Sequence, residues 1–103
     1  MSNVYSLKDG ELSKFVEENN RVVVKFGASW CGPCKAMKVP FSAASQNSPV
    51  GVKCVEVDID ECPNDSVTFQ VRSVPTFLVF KEGVEIERKV GTVSSAVLTK
   101  WCS

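Results

Sequence analysis

The sequence predicts a single α/β domain, and three observations lead to that class. Runs rich in β-branched residues alternate along the chain with segments whose apolar residues recur at helical spacing. Two of those runs, over residues 21–26 and 52–59, are apolar enough to be buried central strands. The chain has 103 residues and an apolar fraction of 44%, which suits one core. We therefore expect residues 1–103 to form one domain.

The predicted order of elements is β-α-β-α-β-α-β-β-α, with parallel crossovers first and an antiparallel hairpin last. Strands are predicted over residues 4–7, 21–26, 52–59, 76–80 and 85–90. Helices are predicted from a cap at Asp9 to about Asn19, from Cys31 or Cys34 to Gln46, from a cap at Asn64 or Asp65 to about Phe69, and from about Ser94 to Trp101. We expect Pro40 to bend the second helix and the last helix to bury Val97, Leu98 and Trp101.

Composition excludes several classes of function. Twelve basic and twelve acidic residues give a net charge of zero, so nothing indicates a nucleic-acid or membrane-surface partner. Histidine is absent, which removes Cys-His and Ser-His dyads and any imidazole metal ligand. The N-terminus has no basic start followed by an apolar run, and no apolar run is long enough to span a membrane. We expect a soluble cytoplasmic protein.

The chain has five cysteines, an odd count that cannot make a complete intramolecular disulfide framework. They are Cys31, Cys34, Cys54, Cys62 and Cys102. In a reducing compartment a close pair is more often catalytic or metal-binding than structural. Zinc would need four ligands, and Cys54 and Cys62 are not spaced as a second pair, so we expect no metal site.

Cys31 and Cys34 directly follow a predicted buried strand and open a helix. Free N–H groups at a helix start favour thiolate over thiol, which makes a cysteine there nucleophilic. Cys31, expected nearer the surface, would attack a substrate disulfide, and Cys34 would then resolve the mixed disulfide. Pro33 suits the first helical turn, and Gly32 leaves room for a substrate backbone.

These motifs resemble those of the thioredoxin family almost end to end. WCGPCK stands at residues 30–35, Val74-Pro75-Thr76 matches the family's cis-proline segment, FKEG at residues 80–83 matches its hairpin turn, and Val90-Gly91 precedes the last helix. The resemblance implies the thioredoxin fold: a central mixed sheet of about five strands flanked by about four helices. It also implies a protein-disulfide reductase.

The resemblance further implies site residues and partners. Pro75 would be cis and lie against the disulfide, and Trp30, Gly32, Val74 and Gly91 would form the apolar docking surface for substrates. The reacting group would be the Cys31–Cys34 disulfide itself, with no cofactor. NADPH would act only through a thioredoxin reductase. Expected substrates are protein disulfides such as those of peroxiredoxin, ribonucleotide reductase and methionine sulfoxide reductase.

Two residues depart from the family pattern beside the site. Lys25 stands where most members carry a buried aspartate that assists proton transfer, and Glu56 stands where many carry the facing lysine. Either Lys25 contacts Glu56 with reversed polarity, or its stem carries the amine to solvent. Gly27 replaces an aromatic residue and is expected to open space beside the site.

The other cysteines are given simple interpretations. Cys54 is read as a small buried apolar residue. Cys62 matches a non-catalytic cysteine of animal members, but Phe69 and Ser73 stand where its cysteine companions would be. Cys102 lies next to the C-terminal residue, so we expect an exposed thiol on a mostly monomeric chain that supports occasional disulfide-linked dimers.

Two other functions are weighed against the reductase. An oxidase or isomerase would usually carry histidine between the two cysteines, and Gly32-Pro33 argues against it. A thioredoxin-fold binding module or complex subunit, with incidental thiols, is the alternative of a different class. The Lys25 replacement weakly favours such a specialised member.

Overall fold

Five strands form one mixed sheet in the computed structural model, which describes residues 3–103. The strands are β1 (Val4–Ser6), β2 (Arg21–Gly27), β3 (Val52–Asp58), β4 (Thr76–Lys81) and β5 (Val84–Val90). Their spatial order is β1-β3-β2-β4-β5, in which β3 pairs in parallel with β1 and β2. β4 pairs antiparallel with β2 and with β5. The predicted mixed five-stranded sheet is therefore confirmed.

The helices are α1 (Leu12–Glu18), α2 (Gly32–Ala36), α3 (Lys38–Gln46), α4 (Pro63–Thr68) and α5 (Ser95–Trp101). α2 and α3 correspond to the one predicted helix, which is interrupted at Met37. Pro40 accounts for the interruption, because its ring crowds the carbonyl of Ala36, four residues earlier, and it has no N–H to donate. Four helices, the second one bent, are thus the observed set. Within residues 3–103, none combines the length and the apolar character needed to cross a bilayer.

The central strand β2 supplies both halves of the hydrophobic core. Val22, Val24 and Phe26 are fully buried on one face of the sheet, where α1 packs against them. Val23 is fully buried on the other face, among residues of α3 and α5. Because side chains alternate along a strand, Lys25 follows Val23 on that second face. The alternation therefore sends a charged side chain into the space beneath α2 and α3.

The capping predictions for α1 and α4 are wrong. Glu11, not Asp9, is the N-cap residue of α1, and the chain still turns at Asp9. The Asp9 carboxylate instead accepts hydrogen bonds from the backbone N–H groups of Asn64, at 3.3 Å, and Asp65, at 3.0 Å, in the first turn of α4. Cys62 is the N-cap residue of α4. A cap supplied by a residue 55 positions away leaves no local sequence signal.

The last hairpin and helix follow the prediction with one exception. Ser94 caps α5, and its hydroxyl oxygen accepts from the Val97 N–H at 3.2 Å. Leu98 and Trp101 are buried, but Val97 is 36% exposed, contrary to expectation. Leu98 and Trp101 are one helical turn apart and share a face, whereas Val97 is about 100° away around the helix from Leu98.

We predict that replacing Asp9 by alanine lowers the midpoint of urea denaturation, because two N–H groups at the start of α4 lose their acceptor. Asp9→Asn is the comparison variant: the two N–H groups bond different carboxylate oxygens, so its one amide oxygen can accept only one of these bonds and its midpoint should lie between those of the wild type and the alanine variant. Equal midpoints for the alanine variant and the wild type would show that the cap contributes nothing.

Candidate active site

The segment of Cys31 and Cys34 lies at the carboxyl end of β2, as the sequence predicts. β2 ends at Gly27, a short turn follows, and Cys31 is the N-cap residue of α2 with an extended backbone. Pro33 occupies the first turn of α2, where its missing N–H removes no helical hydrogen bond. β2 is hydrogen-bonded on both sides, by β3 and β4. The loop therefore projects from the best-anchored strand of the sheet.

Cys31 and Cys34 form a disulfide whose Cα atoms are 5.2 Å apart, within the usual range. The backbone N–H of Cys34 donates to the Sγ atom of Cys31 at 3.2 Å. A hydrogen bond to sulfur favours the thiolate over the thiol once the disulfide is reduced. The geometry therefore provides a disulfide in which one sulfur, that of Cys31, has a backbone N–H donor directed at it.

The two cysteines are about equally buried, contrary to the expectation that Cys31 lies nearer the surface. Cys31 is 5% exposed and Cys34 is 4% exposed. Both pack with Ala28, and the side chain of Val74 covers them from the neighbouring loop. Exposure of the whole residue does not distinguish the two cysteines in this state, whereas the N–H directed at the Cys31 sulfur does.

The loop before β4 lies directly against this disulfide. The Val74–Pro75 peptide bond is cis, as the family resemblance implies. The carbonyl oxygen of Val74 lies 3.8 Å from the Sγ atom of Cys31. Gly91 joins the same region, because its N–H donates to the Pro75 carbonyl at 2.8 Å while its own φ is 97°, a value suited to glycine. The structure thus places Val74 against Cys31 and joins Gly91 to the adjacent Pro75.

Trp30 and Gly32 present the open side of the site. Trp30 is 65% exposed, and its indole N–H donates to the Asp60 carboxylate at 2.8 Å, which fixes the ring. A side chain at Gly32 would meet nothing within 4 Å, so the space above it is free. Sequence reasoning missed Asp60. The available signal was that Asp60 comes just after β3. Because β3 is parallel to β2, both strands end at the same edge of the sheet, where the Cys31–Cys34 segment also lies.

Lys25 is buried beside the disulfide, so the alternative in which its amine reaches solvent is wrong. Its Nζ lies 3.7 Å from a Glu56 carboxylate oxygen, donates to the Cys34 carbonyl at 3.4 Å, and sits 5.9 Å from the centre of the Phe41 ring. Burial lowers the pKa of Lys25; Glu56 acts to raise it, and Lys38 lowers it further. The ammonium is therefore only partly compensated.

A cavity of about 350 Å³ opens next to this lysine. Its lining includes Lys25, Gly27, Cys34, Lys38, Glu56 and Asp58. A Cβ atom at Gly27 would lie 3.4 Å from Cys34 Cβ and 3.5 Å from its Sγ. Glycine thus leaves one side of Cys34 uncovered by a neighbouring side chain, as predicted from the replaced aromatic residue.

Comparison with known proteins settles the family. The family model described as Thioredoxin matches residues 3–103. The chain belongs to the thioredoxin family. It is 34% identical over 97 residues to a thioredoxin of Rickettsia conorii, an alignment covering 93% of this chain and 92% of the relative. Thioredoxins are disulfide oxidoreductases that use a redox-active disulfide, and the Cys31–Cys34 pair has that form.

Further matches include a longer thioredoxin and a solved structure of similar length. A wheat chloroplast M-type thioredoxin is 38% identical over 77 residues, which cover 75% of this chain but only 44% of the relative. Among solved structures, one from work on the thiol resolving mechanism of yeast mitochondrial 1-Cys peroxiredoxin via the glutathione and thioredoxin systems superposes with a TM-score of 0.86. It is 30% identical and covers 99% of this chain and 97% of that chain.

A group of possible metal ligands elsewhere has a structural explanation. The ligand atoms of Asp9, Cys62 and Asp65 lie within 4.8 Å of one another. The carboxylates of Asp9 and Asp65 already accept backbone N–H groups, from Asn64 and Asp65 in the first case and from Gly10 in the second. The cluster therefore joins the turn before α1 to the start of α4.

The expectation that Cys102 is an exposed thiol is wrong. Cys102 is the C-cap residue of α5 and is 2% exposed, in the same apolar cluster as Cys54. The two Sγ atoms are 3.3 Å apart. Their hydrogen bond lowers the pKa of Cys54, whereas the same bond, together with burial, raises the pKa of Cys102. The prediction that Cys54 is buried holds, but its sulfur neighbour was not foreseen.

We predict that, in the reduced native protein, brief iodoacetamide treatment labels Cys31 at least tenfold faster than Cys102, because an N–H donor favours the Cys31 thiolate, whereas the bond to Cys54 and burial raise the pKa of the Cys102 thiol. Mass spectrometry of the peptides gives both rates. Rapid labelling of Cys102, or a Cys102-linked dimer on a non-reducing gel, would contradict its burial.

Proposed function

We propose that this chain reduces protein disulfides, with Cys31 as nucleophile and Cys34 as resolving cysteine. One observation carries the proposal: the disulfide stands at the start of α2 between an N–H donor to Cys31 and the cis Val74–Pro75 loop. A substrate strand laid along that loop would bring its sulfur to Cys31. The membership in the thioredoxin family supports the same reaction.

The reaction consists of two balanced exchanges. The Cys31 thiolate attacks one substrate sulfur, the substrate S–S bond breaks, and the other substrate sulfur leaves as a thiolate. The Cys34 thiolate then attacks the Cys31 sulfur, which releases the second substrate sulfur and closes the Cys31–Cys34 bond. The chain loses two electrons to the substrate, and the two protons released when Cys31 and Cys34 ionise are balanced by those that the two substrate thiolates take up. The 5.2 Å separation of the Cα atoms supports a resolving step without rearrangement of the backbone.

We infer that substrates dock on Trp30, Gly32, Val74 and Gly91. Val74 and Gly91 are linked through the cis-proline loop, and Trp30 is exposed and held by Asp60. Gly32 offers no side chain to obstruct an incoming backbone. The backbone of Val74 would bond an extended substrate segment, much as a sheet edge accepts a strand.

The partners follow from the same proposal. A thioredoxin reductase using NADPH would restore the dithiol, and peroxiredoxin, ribonucleotide reductase and methionine sulfoxide reductase are the expected substrates. The yeast relative comes from work on a peroxiredoxin, which supports the first of these. We infer a cytoplasmic role in electron transport and cell redox homeostasis.

Insulin reduction tests the function. With dithiothreitol as reductant, the chain should accelerate insulin precipitation many-fold, and NADPH with a thioredoxin reductase should replace dithiothreitol. Activity with dithiothreitol alone would mean that the reductase supplied is the wrong partner. No acceleration in either assay would favour a binding module with incidental thiols.

We predict that Cys34→Ser traps a mixed disulfide between Cys31 and substrate, because the resolving sulfur is gone, and that turnover falls to background. Cys31→Ser is the matched control and should trap nothing. Non-reducing gels of each variant incubated with oxidised substrate give the result. Trapping by Cys31→Ser instead would reverse the two roles.

We further propose that Lys25 and Glu56 adjust proton transfer at Cys34. The ammonium of Lys25 contacts the main chain of Cys34 and lines the same cavity as its side chain. A cation there stabilises a thiolate, whereas the aspartate usual in the family would oppose it. A stabilised thiolate favours the dithiol form, so the chain should be a stronger oxidant than its motif suggests. Glu56 moderates the effect by pairing with the ammonium.

We predict that Lys25→Met shifts the redox potential towards more negative values by roughly 10–30 mV, where a tenfold change in the equilibrium is about 30 mV. Titration of Cys34 by ultraviolet absorbance should move to higher pH, and Lys25→Asp should move both values further. Glutathione equilibration measures the potential. Glu56→Gln, which removes the partner and keeps the cation, should shift the potential the opposite way; unchanged values in Lys25→Met would refute the role.

A further inference from the structure

Cys54 and Cys102 form a second pair of sulfur atoms, on the side of the sheet that α3 and α5 cover. Cys54 lies in the middle of β3, and Cys102 ends α5, 48 residues later. Their Sγ atoms are 3.3 Å apart, and the residues are 1% and 2% exposed. Their apolar cluster holds Phe41, Phe77 and Trp101, whereas Cys31 and Cys34 lie in a different cluster.

The position of the pair is fixed from several directions. The N–H of Cys102 donates to the Leu98 carbonyl at 3.0 Å, which ends α5 in a regular turn. Arg21 donates to the carbonyl of Trp101 at 3.2 Å, which ties the same end of the helix to β2. Cys54 is held in register between β1 and β2, opposite Val4 and Val23. Neither sulfur depends on a loose segment for its place.

A small molecule can approach the pair from outside. A cavity of about 200 Å³ between α3 and α5 has Cys102 in its wall, along with Pro40, Ala44 and Thr99. That volume admits a hydroperoxide but not a protein. Cys62, the other free cysteine of the described residues, has a carbonyl oxygen and not a sulfur as its contact, 3.6 Å away at Leu7.

We propose that Cys54 and Cys102 are a second redox couple, which a hydroperoxide converts into an intramolecular disulfide that fastens the end of α5 to β3. The site is distinct from the Cys31–Cys34 disulfide, and the proposal does not rest on the reductase function. A sulfur–sulfur distance of 3.3 Å needs to close to about 2.05 Å, a small movement of two side chains.

The oxidation balances in two steps. The Cys102 sulfur, the one that borders the cavity, attacks one oxygen of the hydroperoxide, its thiol proton passes to the departing oxygen, and the O–O bond breaks. The thiol becomes a sulfenic acid, and the other oxygen leaves as an alcohol, or as water from hydrogen peroxide. The Cys54 sulfur then attacks the Cys102 sulfur, the S–O bond breaks, and water leaves with the Cys54 proton. Two thiols are oxidised by two electrons in all, and one hydroperoxide is reduced.

The experiment uses the full chain with Cys31→Ser and Cys34→Ser, so that only the three buried cysteines can react. The protein is treated with hydrogen peroxide, denatured, alkylated with N-ethylmaleimide and digested without reduction by trypsin and Glu-C. Cleavage after Glu56 and Glu61 separates Cys54 from Cys62. We expect a peptide pair joining Cys54 to Cys102, a mass loss of two hydrogen atoms, two fewer alkylated thiols, and full reversal by dithiothreitol.

Matched variants in the same background decide the assignment. Cys62→Ser should form the link as before, whereas Cys54→Ala should lose it and leave Cys102 as a higher oxide or an unreacted thiol. The oxidised chain should also show a higher midpoint of urea denaturation than the reduced chain, because the link closes a 48-residue loop. The proposal would be overturned by a link to Cys62, by disulfide-linked dimers, or by oxidation of Cys102 to sulfinic acid without any link. The link is mapped in the chain with Cys31→Ser and Cys34→Ser, so this result does not depend on whether the additional variants fold.

Discussion

The pairing of β2 on both of its edges is the constraint on which the other features depend. β3 bonds it in parallel and β4 antiparallel, so its residues are held in register along the whole strand. With both faces covered, its valines serve two separate halves of the core. Because β2 is held on both sides, the loop that follows it starts from a fixed position. Cys31 and Cys34 lie directly after that loop, at the start of α2. The antiparallel partner β4 begins right after the cis Pro75, so the same pairing brings the substrate-side loop to the sulfurs.

That constraint also explains why an ion pair can exist under the site. The register of β2 and β3 places Lys25 opposite Glu56, and alternation leaves Lys25 no route to the other face. Taking an ammonium out of water is costly, and the contacts it makes in return are long or weak: 3.7 Å to a half-exposed carboxylate, a carbonyl at 3.4 Å and an aromatic ring. Contacts of this kind do not by themselves explain a buried ammonium as a stabilising group, which is why we propose that Lys25 acts on the neighbouring Cys34. The cavity beside Lys25 is also lined by Cys34.

Local sequence patterns predict most elements of this fold, and the wrong predictions concern contacts between segments that are far apart in the chain. The strands, the bend at Pro40 and the placement of Cys31 and Cys34 follow from runs of residues whose preferences agree with the fold. The capping role of Asp9 could not be read locally, because its partners are 55 and 56 residues away and a nearby helix offered a plausible target. The sequence predicts which face of β2 carries Lys25, but not whether its side chain is long enough to bring the amine to water. Contact with Glu56 and an amine in solvent are therefore both compatible with the sequence alone. Cys102 was placed in solvent because nearness to a terminus predicts exposure, whereas Leu98 and Trp101 anchor the helix and carry the next residue inside.

The effect of a disulfide on the fold depends on how far apart its two cysteines lie in the sequence, and the two sulfur pairs differ in this respect. Cys31 and Cys34 are three residues apart at the start of a helix, so opening or closing their bond changes the chain locally and leaves the core intact. Cycling between dithiol and disulfide therefore carries little cost in folding free energy. Cys54 and Cys102 are 48 residues apart and lie inside an apolar cluster that joins β3, α3 and α5. A bond there restricts the unfolded chain far more, so its redox state is coupled to global stability and not to turnover. Separation along the chain thus couples the second pair to global stability far more strongly than the first.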